Sequence, residues 1–94
     1  MENRFELTDF INIRTIDTTK LDMVNRFKAR RKEMKLSQVE LANKSDVSYA
    51  SIKRFEQSGE ISLESLMKLA MAMNMLTDFD MLFKNSKVTS IKDL

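Results

Sequence analysis

The chain has 94 residues, enough for one domain with a modest core. It contains no cysteine and no histidine, which removes disulfide frameworks, thiol nucleophiles, His-based acid–base chemistry and zinc sites built on those ligands. The net charge of +2 is too small to indicate a nucleic-acid partner by itself, and with no proline and a single glycine the chain reads as mostly helical.

No apolar run is long enough for a membrane span, and MENRFELTDF lacks the basic start and apolar centre of a signal peptide. A cytoplasmic protein without membrane contact is expected. No enzyme activity is expected either. Besides His and Cys, a Gly-rich phosphate loop is missing, and no cofactor or metal is implied.

Residues 1–19 read as an N-terminal arm. FINIRTI alternates Ile11, Ile13 and Thr15, which suggests an extended segment or a short strand. The first helix is expected from about Leu21 to Met34, capped by Thr18 or Thr19. Leu21, Val24, Phe27 and Met34 fall on one side of it, and Arg31 falls among them. An arginine on an apolar stripe needs a partner, because an unpaired buried charge is costly. The same helix carries RFKARRKEMK over 26–35, a cationic run read either as a solvated face or as a phosphate-facing patch.

The second helix begins with a capping box, SQVE, from Ser37 to Glu40, and ends near Lys44. Asp46 lies in the break that follows and tolerates the left-handed conformation. Ser48 caps a third helix to about Gln57. On a helical projection Ile52, Phe55 and Glu56 share one side. Ala50, Lys53, Arg54 and Gln57 lie opposite, with Tyr49 and Ser51 on the flanks. Glu56 is carried inward by its apolar neighbours, so it is expected to pair with Arg31.

SGEIS, with the only glycine, breaks the chain. Ser62 caps a fourth helix whose inward face is expected to be Leu63, Leu66, Ala70 and Met73. Thr77 opens a short fifth helix with Phe79, Leu82 and Phe83 apolar. Residues 20–84 are thus the domain, and 85–94 a polar tail. The fold class expected is all-α: a compact bundle of about five helices with a helix-turn-helix formed by the second and third.

RFKARRKEMKLSQVELANKSDVSYASIKRFEQSGEISLESLMKLAMAMNML resembles the Cro/repressor-type, or Xre, helix-turn-helix regulators over about residues 24–83. The marks are Arg31, LSQ at 36–38, Leu41-Ala42, Val47-Ser48, Ile52, Phe55-Glu56 and SLESL. The resemblance implies operator-bound double-stranded DNA as partner, read by the third helix in the major groove of a homodimer. It places the family's inward ion pair on Arg31 and Glu56, and a phosphate contact on Gln38. The DNA-binding residues it implies are Gln38, Ser48, Tyr49, Ala50, Ser51, Lys53 and Arg54, with base reading on Tyr49, Ala50, Ser51 and Arg54 and phosphate contact on Lys53. Two departures stand out: Asp46 replaces the usual turn glycine, and the loop after Glu56 is short. That loop and DFDMLF resemble the HipB-like antitoxin branch, which also binds a HipA-like kinase toxin. Met71, Met75, Phe79, Met81 and Phe83 are read either as dimer surface or as core filling, and the N-terminal arm is another candidate for dimer or toxin contact.

Overall fold

The computed structural model describes residues 13–86. Within them lie four α-helices and a closing 3-10 segment, with no strand. Helix α1 spans Ile16–Glu33, α2 Gln38–Ser45, α3 Tyr49–Ser58 and α4 Leu63–Ala72, and the 3-10 segment covers Leu76–Met81. Most of the arm expected over 1–19, and most of the tail over 85–94, lie outside the described residues.

The first helix starts earlier than its apolar spacing suggests. Thr15, not Thr18 or Thr19, is its N-cap. The Thr18 amide donates to the Thr15 hydroxyl at 3.0 Å, and the Thr15 amide donates back to the Thr18 hydroxyl at 3.0 Å. This reciprocal cap outweighs the extended preference of the β-branched residues in TIDTT. The helix ends in a Schellman turn. The Lys35 amide donates to Lys32 O at 2.9 Å and the Leu36 amide to Arg31 O at 3.2 Å. Lys35 takes φ of 59° there, a left-handed position usually held by glycine.

The next three helices each begin at a serine whose hydroxyl accepts the amide three residues on: Ser37, Ser48 and Ser62. Ser37 and Glu40 form the full capping box, with contacts of 3.0 and 2.8 Å. Asp46 closes α2 at φ 64°, and Gly59 closes α3 at φ 78°.

Helix α1 packs on α3, α2 packs on both α3 and α4, and the 3-10 segment packs on α4. The core is Val24, Leu41, Val47, Ile52, Phe55, Leu69 and Met73. Phe27 meets Phe55 edge to face, with ring centroids 5.1 Å apart.

Three inward assignments shift. Leu21, Met34 and Leu63 are exposed. Met23 covers the core in place of Leu21, and Leu69 is the fully buried residue of α4. The last element is a 3-10 segment and not an α-helix. It has no side-chain cap, and Leu82 and Phe83 find no cover beyond it.

Candidate nucleic-acid interface

Helix α3 is gripped from inside. Ile52 and Phe55 are completely buried, and Glu56 is buried beside them. Arg31 of α1 meets Glu56 in a two-pronged pair. Its Nε donates to Oε2 at 2.8 Å and its Nη2 to Oε1 at 2.9 Å. Its Nη1 donates to the Leu36 carbonyl at 2.8 Å. One guanidinium therefore joins α1, the turn before α2, and α3.

Two further contacts were not foreseen from the helical projection: that carbonyl, and Gln38. The Gln38 Nε2 donates to Glu56 Oε1 at 2.9 Å, so the side chain at the start of α2 is tied to α3. A signal was present. A carboxylate offers about four lone-pair sites, more than one arginine fills.

The other face of α3 carries no apolar cover. Tyr49, Ala50, Lys53, Arg54 and Gln57 are exposed, and Ser51 is half-buried. The Lys53 ammonium sits 5.9 Å from the Tyr49 ring centroid, within cation–π range. Lys53 and Arg54 make no ion pair among the described residues. Ser48 is occupied as the cap: it accepts the Ser51 amide at 3.0 Å, and the two hydroxyls are 2.9 Å apart.

The cationic run of α1 divides. Arg30 pairs with Glu33 and Arg31 with Glu56, whereas Arg26, Lys28, Lys32 and Lys35 make no ion pair among the described residues.

At the far end of α3, Lys20 pairs with Glu60. The hydrogen bond from Lys20, and then its charge, hold the Glu60 carboxyl below the usual range; the same contacts raise the Lys20 ammonium. Among the described residues no group of three acidic side chains is placed to hold a metal. None of the described helices is long and apolar enough to cross a membrane.

Two short helices joined by a tight turn, the second anchored inside and cationic outside, define a DNA-binding domain of the helix-turn-helix class. A helix-turn-helix family model matches residues 27–79, more than half of the chain. The chain belongs to this family, in its Cro/C1-type form, and is a DNA-binding transcription regulator. No curated protein and no solved structure matches it.

Proposed function

We propose that the protein is a repressor that binds its operator as a homodimer, with α3 of each copy in the major groove. The observation that carries this is the division of α3. Its inner side is locked by Ile52, Phe55 and Glu56, and its outer side presents Tyr49, Ala50, Ser51 and Arg54 to solvent.

In this reading Arg54 forms a bidentate contact to a base edge, Ser51 and Tyr49 add polar contacts, and Ala50 lets the helix sit deep. Lys53 contacts phosphate, as does Gln38. Ser48 acts by fixing the start of the helix.

A single module buries little DNA, and a dimer sets two such helices about 34–36 Å apart. An apolar cleft lined by Met23, Phe27, Leu66, Met73, Met75 and Phe79 supports a second copy docking there. Next to it in sequence, Met71, Met81, Leu82 and Phe83 are exposed, Phe83 at 97%.

The same exposed residues favour a second reading. An antitoxin of the HipB-like kind would use apolar surface to hold a kinase toxin and would use α3 to regulate its own operon. A stable complex with a kinase encoded beside this gene would establish it.

The test of the first reading is fluorescence anisotropy on two duplexes, the promoter upstream of this gene and its scrambled form, at two salt concentrations. The promoter should bind more tightly, and binding should weaken with salt. Arg54→Ala should cost about 1–3 kcal/mol on the promoter and relax specificity at one position. Lys53→Ala should weaken both duplexes alike. Equal loss on both duplexes from each variant would remove α3 as the reader.

A further inference from the structure

The Glu56 carboxylate does more than neutralise Arg31. Oε2 accepts from Arg31 at 2.8 Å, while Oε1 accepts from Arg31 and from Gln38, each at 2.9 Å. The amide nitrogen of Gln38 has two hydrogens. Glu56 takes one, and because the amide is planar the direction of the other is then fixed. A glutamine without such a tie turns freely about its side-chain bonds and can present its carbonyl, which repels phosphate oxygen. Fixing the amide during folding also removes the ordering cost from the binding step.

We infer that Glu56 is a positioning residue for DNA binding. It holds Gln38 with an N–H turned outward, so the phosphate anchor at the start of α2 and the reading face of α3 are set in one geometry. A lone carboxylate at this place would oppose an approaching phosphate. The two-pronged contact with Arg31 neutralises it, so the network tolerates an anion. The inference rests on the reading of Gln38 as a phosphate contact.

The experiment combines Gln38→Ala, Glu56→Gln and the double variant, each checked for folding by its melting curve. Gln at position 56 keeps the shape but leaves one carbonyl for Arg31 and Gln38 to share. Binding to a duplex of arbitrary sequence is measured across a salt series. Gln38→Ala should weaken binding about three- to tenfold. The salt slope should stay unchanged, because no charge is lost. In the Glu56→Gln background the same substitution should matter less than about twofold. An equal loss in both backgrounds overturns the inference, as does no loss in the wild-type background.

A second measurement needs no DNA. In a nitrogen–proton correlation spectrum, the two Gln38 side-chain amide signals should be widely separated and protected from exchange. In Glu56→Gln they should collapse to ordinary exposed positions. Signals already collapsed in a wild-type protein that binds duplex overturn the positioning role and leave the DNA reading intact. A wild-type protein that binds no duplex removes the DNA reading, and this inference with it.

Discussion

Gly59 shows how much one residue can decide. Its φ of 78° is strained for any residue with a side chain. A Cβ there would also sit 3.0 Å from the Lys20 Cβ, which is fixed to the α1 backbone and cannot swing aside. Gly59→Ala should therefore destabilise the protein by about 1–2 kcal/mol or more, read as a lower denaturation midpoint. The SGEIS break was legible in the sequence because glycine marks it, but the approach of Lys20 was not, since it depends on where α1 crosses α3. Lys35, Asp46 and Asn74 also take positive φ, at 59°, 64° and 60°. Of these only Asp46 could be foreseen, from the helix-turn-helix spacing. Lys35 and Asn74 are set by Schellman turns, whose hydrogen bonds leave little mark on composition.

At the scale of elements, the caps and the ion pair hold the arrangement. Ser37, Ser48 and Ser62 were readable as caps because a small hydroxyl residue precedes each apolar pattern. The Thr15 start was hidden by β-branched residues that look extended in isolation. The inward charges on α1 and α3 were likewise readable, because helical spacing places them among apolar residues. Their third partner, Gln38, was not, because a half-buried glutamine at a helix start has no periodic signature.

Removing either partner of the Arg31–Glu56 pair should cost about 3–5 kcal/mol, since the other charge is left buried. Replacing both by apolar residues of similar size should recover most of that loss. A double-mutant cycle on thermal or urea unfolding measures the coupling, and a value near zero would contradict a working pair.

The Lys20–Glu60 pair joins the first turns of α1 to the loop after α3, and its charges give it a pH window. Glu60 is lowered, so its stabilisation is present above the usual carboxylate range and is lost as pH falls through the lowered value. Lys20 is raised, so its share is present at and below the usual lysine range and is lost as pH rises through the raised value. The gap in melting temperature between wild type and Glu60→Gln should be flat near neutrality and narrow at both extremes. Glu60 is exposed and Lys20 only half-buried, so the gap should be small and shrink with added salt.

For the whole molecule, the all-α class and the helix-turn-helix were legible because capping boxes, a lone glycine and helical apolar spacing agree with one another. The ending was less so. The short fifth helix expected from Thr77 is present as a 3-10 helix over Leu76–Met81, and Phe83 beyond it is almost fully exposed. Apolar residues at the end of a chain segment carry no information about whether their cover is the same copy or another. A dimer through this surface predicts that Phe83→Asp, alone or with Met71→Asp, yields a monomer mass by light scattering while the melting temperature barely changes. Promoter affinity should fall together with dimerisation. A wild-type monomer at tens of micromolar, in the absence of DNA, would count against that surface.

The grip on α3 has a consequence for how such a protein can change over generations. Ile52, Phe55 and Glu56 carry the folding role of the helix, while Tyr49, Ala50, Lys53 and Arg54 are exposed and fill no part of the core. Substitutions at those four positions are therefore nearly free of folding cost, within about 0.5 kcal/mol for an ordinary surface site. If those positions read DNA as proposed, the chain can drift to a new operator, and follow a drifting promoter, without a compensating change in its interior.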